Sequence, residues 1–216
     1  MKIKVCGMRN PGNITELLDL SVDFMGMIFY DKSERFVDIA LAQEIRKAFK
    51  GKTTQKVGVF VNATIEEIQC VKDVFQLDYI QLHGNEDPAF CQMIGEKLNI
   101  KVIKSFAVDN DFDVTLTKSY EGTCDFFLFD AKGKLPGGNG YRFNWELLLK
   151  YNYETPFFLS GGISLQDVED IKSFKHPQLF AIDVNSGFEW MPAIKKIEDL
   201  EVFIDELNDN RLVQTC

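Results

Sequence analysis

Residues 157–189 read FFLSGGISLQDVEDIKSFKHPQLFAIDVNSGFE, and this stretch decides the fold of the chain. The apolar runs at 157–161 and 179–184 predict two buried strands, because neither run alternates with polar residues. Between them, Ser164 followed by Asp167 is typical of a helix N-terminus and predicts a helix over 168–174. The stretch is therefore one strand, one helix and the next strand.

The same alternation repeats along the 216 residues. Helical patterns include 40–50, 194–207 and a segment that opens with a capping-box signature at Thr64 and Glu67. Between such patterns lie eight nearly continuous hydrophobic runs, as expected for strands covered on both faces. The predicted strands are 3–7, 25–30, 57–62, 79–84, 102–107, 126–130, 157–161 and 179–184.

Strands and helices that alternate eight times predict one α/β domain over 1–216, a single (β/α)₈ TIM barrel with eight parallel strands. The fifth crossover, 108–122, is rich in Asp and Thr and is expected to be irregular. An open, doubly wound sheet is the alternative architecture.

The composition argues against several classes of protein. The formal net charge of −9 disfavours nucleic acid and acidic membranes as partners, but not a small anion held by local donors. No apolar run of about 18 residues exists and no signal-peptide pattern opens the chain, so neither a membrane span nor export is expected. Five scattered cysteines indicate a reducing, cytoplasmic compartment, and two histidines without an HExxH motif predict no metal site.

In a barrel of this kind the active site lies at the carboxyl ends of the strands. Glycine clusters follow the last two predicted strands, as SGG at 160–162 and NSG at 185–187. Glycine backbones approach anions closely, and loops at these two positions of a barrel often bind phosphate. The two clusters predict a phosphate site; a pair of ordinary tight turns is the alternative.

Cys6 and Asp130 end the first and sixth predicted strands, so both are expected to face the barrel mouth. A thiolate can remove a proton from carbon, and a carboxylic acid can protonate a leaving oxygen. These roles require a protonated carboxyl group at Asp130, and a pKa of Cys6 below that of a free thiol. The alternatives are a buried packing residue for Cys6 and a helix cap for Asp130.

Three more features follow predicted strands. Arg35 can hold a substrate carboxylate in a bidentate fork, or it is a solvated surface arginine. His83 is either a contact at the rim of the site or a buried, hydrogen-bonded imidazole. The glycine-rich segment 132–141 directly follows Asp130 and is either a mobile lid or a passive surface loop.

Seven segments, in order along nearly the whole chain, resemble those of the phosphoribosylanthranilate isomerases of tryptophan biosynthesis. They are KVCG at 4–7, FMGMIFYDKSERFV at 24–37, VGVFVN at 57–62, IQLHGNEDP at 80–88, LFDAKGKLPGGNGYRFNW at 128–145, FLSGGI at 158–163 and DVNSGFE at 183–189.

The resemblance implies an isomerase that converts N-(5-phosphoribosyl)anthranilate, an aminoaldose, into 1-(2-carboxyphenylamino)-1-deoxyribulose 5-phosphate by an Amadori rearrangement. It implies Cys6 as the general base, Asp130 as the general acid and Arg35 as the residue that holds the anthranilate carboxylate. It also implies further substrate-binding and phosphate-binding residues. They are Gln81, His83 and Asp183 for the substrate, and Gly161, Gly162, Asn185, Ser186 and Gly187 for the phosphate.

The expected partner is this small phosphosugar, bound by a monomer or a homodimer. Because the iminium intermediate of the rearrangement is itself an electron sink, no cofactor is expected.

Four positions depart from the pattern of that family. Glu34 stands where Pro is common, Asn139 where Thr is common, Asn144 where Asp is frequent, and Asn185 where Ser is common. The change at Asn185 affects a side-chain contact to phosphate, and none of the four changes the proposed acid or base.

Other phosphosugar barrels are the nearest alternatives. The histidine-pathway isomerase performs the same chemistry with two aspartates, whereas this chain has Cys6 at the end of its first strand. A non-catalytic phosphosugar-binding barrel is the alternative outside the enzymes, and the presence of both Cys6 and Asp130 argues against it.

Overall fold

The computed structural model describes residues 1–133 and 142–208, and in it eight parallel strands close into a barrel. Each strand pairs with its neighbours in sequence, and the first pairs with the last. The predicted TIM barrel is therefore confirmed, and the open sheet is wrong. The strands are β1 (Lys2–Val5), β2 (Phe24–Ile28), β3 (Gln55–Phe60), β4 (Tyr79–Leu82), β5 (Lys101–Val108), β6 (Phe126–Ala131), β7 (Phe157–Leu159) and β8 (Leu179–Val184).

Six α-helices in the described residues cover or follow these strands: α1 (Pro11–Asp19), α2 (Ala42–Ala48), α3 (Ile65–Phe75), α4 (Pro88–Leu98), α5 (Val168–Ser173) and α6 (Ile197–Asn208). The capping box predicted for α3 is present. The Thr64 N–H donates to Glu67 Oε2 at 2.8 Å, and the Glu67 N–H donates to Thr64 Oγ1 at 3.3 Å. Before α5, Asp167 accepts from the Ser164 N–H at 2.8 Å in the same way.

The fifth crossover is irregular, as predicted. Its helical part is a 3₁₀ helix over Val114–Tyr120. The Thr115 N–H donates to Asp113 Oδ1 at 2.9 Å, and Thr117 Oγ1 donates to the Val114 carbonyl at 2.8 Å. Short polar side chains of this kind compete with the hydrogen bonds of a regular helix.

The sixth crossover also carries a 3₁₀ helix, over Trp145–Lys150. Asn144 caps it by accepting from the Glu146 N–H at 3.0 Å. Asparagine therefore performs at this position the capping that an aspartate would perform.

The helix predicted over 194–207 is wrong at its start. Residues Ile194–Lys195 form strand β10, which pairs in antiparallel fashion with strand β9 (Glu189–Met191), and α6 begins only after this hairpin. The Lys195 N–H donates to Asn13 Oδ1 at 2.7 Å, so a contact distant in sequence holds this backbone extended. Periodicity of apolar residues carries no sign of such a contact.

Inside the barrel, the strands change from apolar to polar toward their carboxyl ends. Side chains two positions apart on a strand share a face. On β6, Phe126 and Leu128 belong to an inner apolar cluster, and Asp130 opens into a pocket. The same change occurs from Tyr79 to Gln81 and His83 on and after β4, from Phe158 to Ser160 on and after β7, and from Ala181 to Asp183 on β8. The polar groups thus meet at one end of the barrel.

Two features named from the sequence lie outside the described residues: the segment 132–141 apart from Lys132 and Gly133, and the departure at Asn139. Within 1–133 and 142–208, every helix is too short or too polar to span a bilayer.

Candidate active site

A pocket lies at the carboxyl ends of the strands. Every predicted site residue except Arg35 lines it: Cys6, Gln81, His83, Asp130, Gly161, Gly162, Asp183, Asn185, Ser186 and Gly187. Apolar side chains, among them Ile28, Val59 and Ile163, complete the wall. The topology therefore brings the candidate acid, base and phosphate loops to a single cavity.

Cys6 lies at the end of β1 and packs against Ile28 and Val59, with only 5% of its surface exposed. Its thiol fits because residue 26 on the neighbouring strand is a glycine. A Cβ atom at Gly26 would come within 2.7 Å of Cys6 Sγ, closer than nonbonded atoms approach. The glycine at position 26 therefore leaves the space that the Cys6 sulfur occupies in the pocket wall.

The expected low pKa of Cys6 is wrong for this structure. Burial raises the pKa of the thiol, and the nearby carboxylate of Asp183 adds to that rise. The ammonium groups of Lys4 and Lys195 act in the opposite direction without reversing it. The sequence indicated the position of the thiol but not the apolar wall that disfavours its charge.

Lys4 is a buried cation beside this thiol that the sequence argument missed. It lies two residues before Cys6, on the same inner face of β1, and its Nζ is 2.8 Å from Asp183 Oδ1. Although burial disfavours the ammonium, Asp183 and Cys6 outweigh burial and raise the pKa of Lys4. The sequence could have indicated this ion pair, because a lysine lies inside the apolar run IKVC and a buried lysine needs an anionic partner.

Asp183 is held by two groups of the barrel interior. Lys4 occupies Oδ1, and Ser160 Oγ donates to Oδ2 at 3.3 Å. Burial raises the pKa of Asp183, and Lys4 only partly opposes that rise. The side chain predicted to contact substrate is thus also the partner of the buried lysine.

Asp130 lies in a row of polar side chains across β4 and β6. Its Oδ2 lies 3.4 Å from His83 Nε2, and His83 Nδ1 lies 2.8 Å from the amide nitrogen of Gln81. With the Gln81 amide donating to Nδ1, the neutral imidazole carries its proton on Nε2, facing Asp130. His83 is therefore a partly buried imidazole that is hydrogen-bonded to Gln81 and lines the pocket, and its contact with a substrate stays a prediction.

Gln81 carries a buried acceptor without a hydrogen-bond partner in the described part of the chain. Its amide nitrogen also donates to Ser105 Oγ at 3.1 Å, and its Oε1 has no hydrogen-bond partner among the described residues. Since Gln81 lines the pocket, this oxygen is available to a ligand that carries a hydroxyl or N–H group.

The two glycine clusters form closely packed loops. Gly161 and Gly162 have φ values of 96° and 67°, in the left-handed region that favours glycine. A Cβ atom at Gly187 would lie 2.2 Å from the Ile163 carbonyl oxygen, so the loops after β7 and β8 touch where only glycine fits. Within the described chain, the N–H groups of Gly162, Ser186 and Gly187 donate to no acceptor.

Arg35 does not line the pocket but lies beside it, paired with a residue that the sequence argument missed. Its Nε and Nη2 donate to the carboxylate of Glu189, with the shortest contact 2.6 Å long. Arg35 is only 8% exposed, so the alternative of a solvated surface arginine is wrong. Glu189 closes the DVNSGFE segment, and that segment was the available signal.

Asn185 turns its side chain toward Lys195, another buried cation that the sequence did not indicate. Lys195 Nζ lies 2.7 Å from Asn185 Oδ1 and 2.7 Å from Glu189 Oε1. The asparagine at 185, where serine is common, therefore places its amide oxygen against Lys195 of the β9–β10 hairpin.

A sequence profile for the family described as N-(5'phosphoribosyl)anthranilate (PRA) isomerase matches residues 3–206. The chain belongs to the N-(5'-phosphoribosyl)anthranilate isomerase family. Its relatives include isomerases of that name from Parabacteroides distasonis, 44% identical over 96% of this chain and 93% of the relative, and from Phocaeicola vulgatus, 40% identical over 96% and 98%. The resemblance predicted from the seven segments is confirmed.

Solved structures of phosphoribosylanthranilate isomerases share the fold. The Thermotoga maritima enzyme superposes with a TM-score of 0.84 at 32% identity, covering 96% of this chain and 98% of that one. An isomerase of the same family in complex with reduced 1-(o-carboxyphenylamino)-1-deoxyribulose 5-phosphate superposes with a TM-score of 0.81 at 30% identity, with the same coverage.

In the described residues, no cluster of three or more His, Cys, Asp or Glu side chains is arranged to hold a metal ion. The catalytic and binding roles of the pocket residues stay predictions, which we develop next.

Proposed function

We propose that this chain is a phosphoribosylanthranilate isomerase that uses Cys6 and Asp130 as its base and acid in tryptophan biosynthesis. The observation that carries the proposal is that, in a chain of this family, a buried thiol and a carboxyl group open into the same pocket as two glycine loops. Each part of the substrate then has a matching part of the pocket.

The phosphate lies against the loops after β7 and β8. Backbone N–H groups of Gly162, Ser186 and Gly187 without acceptors in the described chain can all donate to its oxygens. The tight contact between Gly187 and Ile163 keeps the two loops at a fixed separation. This end of the pocket orients the ribose between Cys6 and Asp130.

The first chemical step opens the ribose ring. Asp130 in its acid form donates a proton to the ring oxygen, the bond from C1 to that oxygen breaks, and the lone pair of the anilino nitrogen forms a C1=N iminium. His83 Nε2 lies 3.4 Å from Asp130 Oδ2, which leaves Oδ1 for the substrate. Gln81 Oε1 accepts from a ribose hydroxyl, because it has no other partner in the described chain.

The second step removes a proton from C2. Cys6 thiolate takes the proton, the C–H electron pair forms a C1=C2 double bond, and the iminium nitrogen becomes neutral. The resulting enol becomes the C2 ketone when C1 gains a proton. A positive iminium beside the sulfur favours the thiolate, as do Lys4 and Lys195, and these charges oppose the effect of burial on Cys6.

The proposal also includes the ligand, the absence of a cofactor, the cellular compartment and the oligomeric state of the enzyme. The ligand is a small phosphosugar, the residues supply the acid and base without a cofactor, and the protein works in the cytoplasm. The chain acts as a monomer or a homodimer; a Thermotoga maritima relative is described as dimeric.

The test is turnover of N-(5'-phosphoribosyl)anthranilate, followed by the loss of anthranilate fluorescence. Asp130→Asn keeps the shape of the side chain but removes the acid, and we expect kcat to fall about 10²- to 10⁴-fold. Asp73→Asn, the same change at an exposed aspartate of α3, is the matched control and should leave kcat unchanged. Wild-type protein without turnover, or Asp130→Asn with normal kcat, would contradict the proposal.

A further inference from the structure

Among residues 1–133 and 142–208, Arg35 uses only one edge of its guanidinium group. Nε donates to the two oxygens of Glu189 at 3.0 and 3.1 Å, and Nη2 donates to Oε2 at 2.6 Å. A guanidinium has five N–H donors in one rigid plane. The pairing leaves the edge formed by Nη1 and the second N–H of Nη2, and no acceptor among residues 1–133 and 142–208 is bonded to Nη1.

The arginine runs across the backbone beside the catalytic thiol. A Cβ atom at Gly7 would lie 2.7 Å from Arg35 Cδ and 2.6 Å from Asn185 Oδ1. Gly7 directly follows Cys6, and both Cys6 and Asn185 line the pocket. The Arg35 side chain therefore passes directly beside the residue that follows Cys6, next to the pocket.

Glu189 is itself fixed by further donors. Lys195 Nζ lies 2.7 Å from Oε1, and the Ala193 N–H donates to the same oxygen at 3.1 Å. The side chains of Glu189 and Lys195 are 5% and 0% exposed. Although burial disfavours the carboxylate, Arg35 and Lys195 outweigh burial and keep the pKa of Glu189 below its usual value.

The charges of this cluster favour an anion. Arg35 and Lys195 are cationic and Glu189 is anionic, so one positive charge remains uncompensated within the cluster. Without Lys195, the Glu189 carboxylate would cancel the charge of Arg35 and repel a second carboxylate. Lys195 also lies 3.1 Å from the carbonyl oxygen of Asn185, at the start of the predicted phosphate loop.

We propose that Glu189 is a positioning residue that fixes the Nε/Nη2 edge of Arg35, so that the adjoining Nη1/Nη2 edge is presented to the carboxylate of the substrate. Lys195 neutralises Glu189 in this arrangement. This inference rests on the proposed function, because the ligand must carry an aromatic carboxylate. An arginine held on one edge loses little freedom when its other edge binds, which strengthens the contact. A lysine has no second edge and cannot replace Arg35.

The test compares two ligands that differ only in the carboxylate. One is reduced 1-(o-carboxyphenylamino)-1-deoxyribulose 5-phosphate, and the other is the same compound without the carboxyl group. For Glu189→Gln, we expect Kd of the carboxylated ligand to rise about 10- to 100-fold. The variant weakens the charge-assisted hydrogen bonds that hold Arg35, and we expect this loss of positioning to outweigh the removal of one negative charge. Kd of the other ligand should change less than about threefold, and the loss in kcat/KM should lie in KM.

A second variant and a double mutant complete the experiment. Arg35→Lys should show the same selective loss, and it tests the inference even if Glu189→Gln does not fold. In an Arg35→Ala background, Glu189→Gln should have no further effect on the carboxylated ligand. Glu169→Gln, at an exposed ion pair with Lys172, is the matched control and should bind both ligands normally.

Equal weakening of both ligands, or additive losses in the double mutant, would overturn the inference. These outcomes are separate from failure of the proposed function, because that failure is an absence of wild-type turnover. A wild type that turns over its substrate, with a Glu189→Gln variant that does not distinguish the ligands, rejects only the role of Glu189.

Discussion

The two ends of the barrel interior are made by the same strands but differ in chemistry. At the amino end, aromatic rings fill the barrel, and Phe158 makes edge contacts with Phe24 and Phe126 at centroid distances of 5.5 and 5.6 Å. At the carboxyl end, a few residues further along, the inner side chains include Cys6 and Asp130. The first end is a packed apolar layer, and the second contains charged side chains that do not add to this packing.

Along each strand, residues at the amino end of the barrel therefore contribute mainly to stability, and residues at the carboxyl end contribute mainly to function. Aromatic contacts stabilise the closed end through buried area and ring geometry. The open end contains buried ions such as Lys4 and Asp183, which bring a desolvation cost that their pairing only partly offsets. We therefore expect changes at the closed end to alter the free energy of unfolding, and changes at the open end to alter catalysis.

The largest effect is expected for Cys6→Ser at the open end. Serine is nearly isosteric but far too weakly acidic to act as the base, so kcat should fall about 10²- to 10⁴-fold or more. Cys91→Ser, the same change at a fully buried cysteine of α4, is the matched control. Cys91→Ser should lower the unfolding midpoint and leave kcat unchanged; wild-type kcat in folded Cys6→Ser protein would make Cys6 a packing residue.

Phe158→Ala at the closed end should destabilise the folded protein strongly and leave catalysis unchanged. Phe158 is 0% exposed, and its removal should lower the free energy of unfolding by about 3–5 kcal/mol, measured by denaturant titration. The kcat of the folded protein should stay within about twofold of wild type. Leu149→Ala, at an exposed leucine, serves as the control, and a large drop in kcat for Phe158→Ala would show that the two ends are coupled.

The smallest effect is expected for the pH dependence of ligand binding at the open end of the barrel. Burial lowers the pKa of Lys195 to about 8, while Glu189 and Cys6 act to raise it and Arg35 acts to lower it further. Above that pH the lysine loses its proton and the cluster loses its excess positive charge. We expect Kd of the reduced carboxylated ligand to rise about three- to tenfold between pH 7 and 9.

This measurement is made in the Cys6→Ser variant, so that the thiol does not titrate. Lys195→Met removes the titrating group and should bind the ligand with the same, weaker affinity throughout this pH range. A pH dependence that persists in Lys195→Met would assign the effect to another group.

Much of the barrel could be predicted from local sequence. Buried parallel strands need continuous apolar runs, so the eight runs were visible, and the helix-capping pairs at Thr64 and Ser164 marked where helices begin. The helix predicted over 194–207 was wrong at its first residues because Lys195 is held extended by Asn13. No local pattern reports a hydrogen bond between residues 182 positions apart.

The residues of the candidate site also fall into two groups: those whose position the sequence predicts, and those whose position depends on tertiary contacts. Placement of Cys6, Asp130 and the glycine loops at one mouth follows from the sequence, because the carboxyl ends of parallel strands in a closed barrel must meet. Tertiary structure alone decided that Arg35 pairs with Glu189, 154 positions away, and that Lys195 joins them. It also decided the direction of the Cys6 pKa, because burial and neighbouring charge act through space and leave no trace in the order of residues.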